Sequence, residues 1–135
     1  MKVHFKGSEK YFNEEQKKVL KLYTKMLQRQ MPLKKDVHVY FVDYRKNDMT
    51  TGLRKPHHEI YVLTPHRMLV DVMRTYAHEW GHEYEHQKLG FKDKNIERPQ
   101  IGTPAENLAN ILAGIMTKKF DNEYPEYKKL IYDEG

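Results

Sequence analysis

Two histidines and a glutamate fall within one five-residue run of the sequence, His78-Glu79-Trp80-Gly81-His82. Side chains four residues apart lie on one face of a helix, so both imidazoles can reach the same metal ion. Glu79 projects about 100° away in rotation, beside the metal's open position, where it can take a proton from an activated water. The run therefore predicts zinc-assisted hydrolysis. The alternative is a polar helix face that carries two histidines by coincidence.

The sequence leaves the third metal ligand open. A catalytic zinc usually takes three protein ligands and keeps a fourth position for water. No histidine follows His86, so the third ligand is His86, a carboxylate or an upstream residue. On a continuous helix His86 lies about 12 Å along the axis from His78, too far to share one ion. We therefore interpret His86 as a surface or second-shell residue.

Glu106 is the favoured third ligand, because it stands early in the next predicted helix, which can pack against the first one. An alternative role is a capping box with Thr103, in which the Glu106 carboxylate bonds back to the backbone of Thr103. Asn110 follows one turn later and can orient an imidazole from the second shell.

These residues together resemble a known family. The H-E-x-x-H run followed by Glu106-x-x-Ala109-Asn110-x-Leu112-Ala113 resembles the gluzincin metallopeptidases, and is similar to the small ImmA/IrrE-like and minimal gluzincin groups. The resemblance covers about residues 60–120. It implies a zincin-like peptidase fold, zinc held by His78, His82 and Glu106, and Glu79 as general base. Leu108 departs from the ImmA/IrrE-like pattern, which usually has an acid there.

The elements that must position this site follow from hydrophobic periodicity and helix-start signals. Strands are predicted over residues 1–6, 37–42 and 58–63, with 43–56 as a loop or hairpin connection. Three longer helices are predicted: from an Asn13 cap to about 30, from a Thr64-Pro65 start to about 88, and from Thr103-Pro104 to about 120. One short helix is expected after Pro125.

This order predicts an α+β fold, with a small twisted sheet packed on the H-E-x-x-H helix and the helix after it. We expect residues 1–135 to form a single zincin-like domain. By order along the chain, the strand over 58–63 is the candidate edge strand for extended substrate. Further assignments concern single residues: possible oxyanion donors are His57, His58, Tyr61, Arg98 and Tyr124, and expected core residues are Tyr40, Phe41, Trp80, Leu108, Ile111, Leu112 and Ile115.

Composition narrows the cellular setting and the partners. The chain has no cysteine, which excludes thiolate zinc sites and disulfides and suggests a reducing, cytoplasmic compartment. No apolar stretch is long enough to span a membrane, and the start does not resemble a signal peptide. The net charge of +5 is spread along the chain, so we interpret it as a solvated surface.

The predicted function is a zinc-dependent endopeptidase, a hydrolase acting on a peptide or protein substrate. The alternative is a non-catalytic zinc-binding regulatory protein with the same fold, whose positive charge would suit nucleic acid or an acidic protein. Nucleic acid is possible but not favoured as a partner. Glu79 favours the enzyme, because a purely structural zinc site needs no base. The oligomeric state is not predicted.

Overall fold

The structure is a computed structural model that describes residues 1–46, 49–89 and 104–133, without the side chains of Leu89 and residues 104–108. It confirms the expected mixture of helices and strands. The elements, in chain order, are β1 (Val3–Lys6), α1 (Ser8–Tyr11), α2 (Glu14–Gln30), β2 (Val37–Val42), β3 (Gly52–Lys55), β4 (Glu59–Leu63), α3 (Leu69–Leu89), α4 (Pro104–Glu123), a 3₁₀ turn (Pro125–Tyr127) and α5 (Lys128–Ile131).

The four strands form one sheet in the order β1-β2-β4-β3. Strands β1, β2 and β4 run parallel, and β3 pairs antiparallel with β4 through a tight turn over 56–58. The prediction that residues 58–63 form an edge strand is wrong, because β4 lies between β2 and β3. The free edge on that side belongs to β3, in a segment for which the sequence predicts a loop or hairpin connection.

The core lies between the inward face of the sheet and the helices. Alternation along β2 and β4 turns Val39, Phe41, Ile60 and Val62 toward the helices, and all four are buried. Trp80, on the metal-motif helix α3, is fully buried and donates its indole N–H to the carbonyl oxygen of Met31 at 2.9 Å. This contact fixes α3 against the end of α2 and leaves the opposite side of α3 for the two histidines.

Helix α2 begins at its predicted cap, whereas helix α3 does not. Asn13 caps α2 as expected: its side chain accepts from the backbone N–H of Gln16, and the Gln16 side chain accepts in return. The predicted start of α3 at Thr64-Pro65 is wrong, because the helix begins at Leu69. The Thr64 hydroxyl instead donates to the carbonyl oxygen of Val62. His66 then adopts a left-handed backbone conformation, with φ of 60°, that no helix can include.

Helix α4 buries a narrower face than its sequence suggests. Ala109, Ala113 and Phe120 pack inward, whereas Ile111 and Ile115 are 58% and 54% exposed. The two isoleucines are four residues apart and so share the solvent-facing side of the helix. Their assignment to the core is therefore wrong, and that of Leu108 lies outside the described side chains.

Within the described ranges, none of the helices is both long and apolar enough to cross a membrane.

Candidate metal centre

Helix α3 brings the two motif histidines together. The Nε2 atoms of His78 and His82 lie 3.2 Å apart, and the ring planes are inclined at 76°. Two imidazole nitrogens that bind one tetrahedral zinc at 2.0–2.1 Å are separated by about 3.3 Å. The observed spacing is also that of a hydrogen bond between the rings, so it fits a shared metal ion or a shared proton.

Glu79 is buried beside this pair, with only 6% of its surface exposed. Its Oε2 atom lies 4.0 Å from the Nε2 atom of His78. Both side chains line the same cleft, which has a volume of about 480 Å³. These two atoms are too far apart to hydrogen-bond each other directly, but one water molecule between them could contact both.

The cleft lies between the start of β3, the middle of α3 and α4. Polar and small side chains dominate its walls, and Glu79 is the only carboxylate among the described lining residues. The lining residues are Thr50, Thr51, Gly52, Arg74, Thr75, His78, Glu79, Asn110, Ala113 and Gly114.

Gly52 allows β3 to approach α3 closely at the cleft. A Cβ atom added to Gly52 would lie 2.5 Å from Cγ2 of Thr75 and 2.9 Å from Oε2 of Glu79. Carbon atoms are in favourable contact only at about 3.5–4.0 Å, so no side chain fits at this position without movement. The absence of a side chain at Gly52 therefore sets the distance between the edge strand and Glu79.

The free edge of β3 presents backbone groups next to the cleft. The N–H of Leu63 donates to the carbonyl oxygen of Thr51 at 2.8 Å, which makes these two residues a hydrogen-bonded pair. Hydrogen-bonded and non-hydrogen-bonded pairs alternate in an antiparallel ladder. In the observed register, Gly52 and Arg54 therefore direct their N–H and C=O groups away from β4.

A buried ionic cluster joins β3 to α3 immediately after His82. Glu83 is fully buried and accepts from Nε of Arg54 at 2.8 Å and from Nε2 of Gln87 at 2.6 Å. Nδ1 of His58, in the turn that leads into β4, lies 2.6 Å from the same carboxylate. Because Arg54 is on the edge strand, this cluster holds that strand against the metal-motif helix.

Arg67 holds the side chain of Thr75, which lines the cleft. Its guanidinium donates to the carbonyl oxygens of Leu63 and Asp71 and, at 2.8 Å, to the hydroxyl of Thr75. Burial lowers the pKa of Arg67 from its ordinary value. The Thr75 hydroxyl is thus held in place, and with it the methyl group that faces Gly52.

The remaining predicted ligands are placed as follows. Glu106 belongs to α4, but its side chain lies outside the described part of the structure, as does Thr103 of the proposed capping box. Asn110 lines the cleft from α4. His86 is 8% exposed, so it is not a surface residue, and a role in supporting a metal ligand stays a prediction. Its ring centroid lies 6.4 Å from that of His58.

None of the described oxyanion candidates lines the cleft, and Arg98 lies outside the described residues. Tyr61 lies on the opposite face of the sheet, where its ring stacks on Tyr40 and its hydroxyl donates a hydrogen bond to Glu59. Burial raises the pKa of Tyr61 to about 12. His58 contacts the Glu83 carboxylate instead. Tyr124 packs against Phe120.

Sequence reasoning missed several residues that line the cleft, among them Gly52, Arg74 and Thr75. One signal was present: Arg74 precedes His78 by four residues and therefore shares its helix face. Gly52 carried no such signal, because its importance depends on a strand pairing that the loop assignment did not include.

No protein family, curated protein or solved structure matches this chain. In the part of the chain with described side chains, which excludes that of Glu106, no group of three or more His, Cys, Asp or Glu residues could hold a metal ion.

Proposed function

We propose that this chain is a zinc-dependent peptidase that cleaves peptide bonds in the cleft between β3 and α4. The observation that carries the proposal is the convergence of the His78 and His82 Nε2 atoms at 3.2 Å, with the Glu79 carboxylate 4.0 Å from one of them. His78 and Glu79 both line this cleft, and His82 lies on the same face of α3 one turn later.

The donor set suits zinc. Two imidazole nitrogens at this spacing fit adjacent corners of a tetrahedral site, and zinc is commonly bound by two histidines and one carboxylate in hydrolases. The third position is assigned to Glu106, because position 106 precedes Asn110 by one helical turn and Asn110 lines the cleft. A bound zinc would supply Lewis-acid polarisation and lower the pKa of a water molecule toward about 7.

In this proposal Glu79 is the general base. It takes a proton from the attacking water and later delivers that proton to the leaving amine, a role that contributes about 100- to 10,000-fold to a rate. Its burial against Gly52 restricts the carboxylate to one side of the cleft. The side chain is therefore held in place before a substrate binds, which general base catalysis requires.

The edge strand supplies a binding surface for the substrate backbone. Gly52 and Arg54 direct backbone donors and acceptors to the free edge beside Glu79. An extended peptide can pair with these groups as an added strand. This assigns substrate binding to β3 in place of β4.

Zinc titration tests the metal site first. Isothermal calorimetry on the metal-free protein should give one zinc per chain, and His78→Ala and His82→Ala should each abolish tight binding. His38→Ala is the matched control, because His38 stacks on His4 on the other face of the sheet. If Glu106→Ala keeps full affinity while His86→Ala loses it, the third ligand is misassigned.

Peptide cleavage then tests the activity. The zinc-loaded protein should hydrolyse members of a diverse peptide library, lose that activity in a chelator and regain it when zinc is restored. Tight zinc binding without cleavage of any peptide or protein would favour a binding or regulatory role over an enzyme.

A further inference from the structure

Arg74 places a positive charge at the cleft, one helical turn before His78. It lines the cleft from α3, and its side chain is 52% exposed. Among the described lining residues it is the only Lys or Arg, and Glu79 is the only acid. A cation in this place needs an explanation, because the proposed chemistry requires only the metal, the base and a substrate.

The described interactions of Arg74 are one long ion pair and longer-range electrostatic interactions with Tyr23 and Tyr132. The ion pair that the described side chains provide for Arg74 is with Asp71, at 3.9 Å and with both side chains about half exposed. Such a long, exposed pair contributes little to stability. The guanidinium therefore keeps most of its hydrogen-bonding capacity for a group that enters the cleft.

We infer that Arg74 determines substrate specificity by binding a carboxylate close to the scissile bond. This inference rests on the proposed peptidase function and adds the substrate class to it. Arginine fits a carboxylate through two parallel N–H···O bonds, and Thr50, Thr51 and Asn110 offer further polar groups in the same cleft. The carboxylate belongs either to an acidic side chain or to the C-terminus of the peptide.

Helix geometry sets the distance between this carboxylate and the bond that is cleaved. Arg74 lies about 6 Å along the helix axis from His78 and about 12 Å from His82, so a metal held between the two histidines would lie about 9 Å away. An extended peptide advances about 3.3–3.6 Å per residue. The carboxylate should therefore lie two or three residues from the scissile bond, and peptides with a carboxylate further away should gain nothing from Arg74.

Matched peptide libraries test this inference. Three libraries share one set of sequences. The first has free C-termini, and the second has C-terminal amides. The third has C-terminal amides and carries Glu at each internal position in turn, and each of its peptides is matched by one with Gln at that position. Mass spectrometry locates the cleavage sites. We expect zinc-loaded wild type to prefer peptides with a carboxylate near the cleaved bond by about 10- to 100-fold in kcat/KM. The free C-termini and the internal Glu residues distinguish the two sources.

In Arg74→Gln this preference ratio should collapse toward one, and Arg74→Lys should restore part of it, because lysine keeps the charge but not the planar fork. Lys118→Gln is the control for net charge, since Lys118 is an exposed residue of α4 outside the cleft lining. If wild type cleaves peptides with and without a carboxylate near the scissile bond equally well, the Arg74 inference is overturned and the peptidase function still stands.

A binding measurement separates the inference from catalysis. Zinc-loaded Glu79→Gln should bind the free-acid library more tightly than the amide library in calorimetric titrations, and Glu79→Gln/Arg74→Gln should not. If wild type cleaves nothing but this difference in binding persists, the peptidase function fails and the assignment of Arg74 as a carboxylate-binding residue holds. If the affinity difference is the same in both proteins, the assignment of Arg74 is wrong.

Discussion

The close contact at Gly52 gives the most detailed prediction, because two neighbouring side chains respond differently to one added methyl group. In Gly52→Ala the new Cβ atom would lie 2.5 Å from Cγ2 of Thr75. To reach a favourable carbon–carbon distance, β3 must move away from α3 by about 1 Å. Thr75 cannot simply rotate, since its hydroxyl accepts from Arg67 at 2.8 Å.

Stability and activity should both fall in Gly52→Ala. Overpacking of this size costs about 1–3 kcal/mol in the free energy of unfolding. The same methyl group lies 2.9 Å from Oε2 of Glu79, and a displacement of about 1 Å in a catalytic group can lower a rate by about 100-fold. Urea unfolding followed by circular dichroism measures the first effect, and kcat/KM on a cleaved library peptide measures the second.

A second substitution separates the two contacts. Thr75→Ser removes Cγ2 and keeps the hydroxyl, so Gly52→Ala/Thr75→Ser should recover part of the lost stability, with a coupling energy of about 0.5–2 kcal/mol. The activity should stay low, because the contact with Glu79 remains.

Gly81→Ala is the matched glycine control: its added Cβ would come no closer than 4.0 Å to its nearest neighbour, Sδ of Met31. This change should stabilise the protein by about 0.5–1 kcal/mol, as alanine does in a helix interior. Wild-type stability and activity in Gly52→Ala would refute the described packing of β3 against α3.

Two further predictions concern buried polar groups. Glu83→Ala should cost about 3–5 kcal/mol in the free energy of unfolding measured with urea, because it leaves Arg54 buried without its carboxylate. The control Glu123→Ala breaks the exposed pair with Arg29 and should cost about 0–1 kcal/mol. Similar losses in the two variants would contradict the buried cluster. Burial raises the pKa of Tyr23 and of Tyr76 above the ordinary value near 10, so above that pH the unfolded chain loses protons that the folded chain keeps, and stability should fall as pH rises. Tyr23→Phe should make this alkaline loss less steep than in wild type, whereas Tyr44→Phe at an exposed ring should not; equal slopes in all three proteins would contradict burial as the cause.

The elements that the sequence predicted well are those whose signals are local. The Asn13 cap, the β-branched and aromatic run of β2 and the start of α4 at Pro104 each depend on a few neighbouring residues. The i, i+4 spacing of His78 and His82 is equally local, so their convergence follows once α3 forms.

The elements that the sequence misjudged depend on tertiary context. Strand β3 is four residues long with Leu53 as its one apolar side chain, and it forms because β4 is available to pair with it. Thr64-Pro65 looks like a helix start, but Thr64 is held to β2, where its backbone N–H donates to the carbonyl oxygen of Val42. Ile111 and Ile115 look like core residues because periodicity alone does not tell which side of a helix is covered.

The cleft itself could not be predicted from the sequence, because its walls come from three separate segments. Glu79 was recognised by its position in the motif, whereas the roles of Gly52 and Arg74 depend on how β3 and α3 pack. Functional assignment from the motif alone therefore names the centre of the site but not the groups that surround it.

Hydrolysis by Glu79→Gln at matched zinc content tests the central claim most directly. Glutamine keeps the shape of the side chain but cannot accept the proton, so the variant should fold, bind one zinc per chain and lose at least about 100-fold in kcat/KM on a peptide that wild type cleaves. Equal cleavage by the variant and wild type, with equal zinc content, would contradict the assignment of Glu79 as the base and of this cleft as a hydrolytic site.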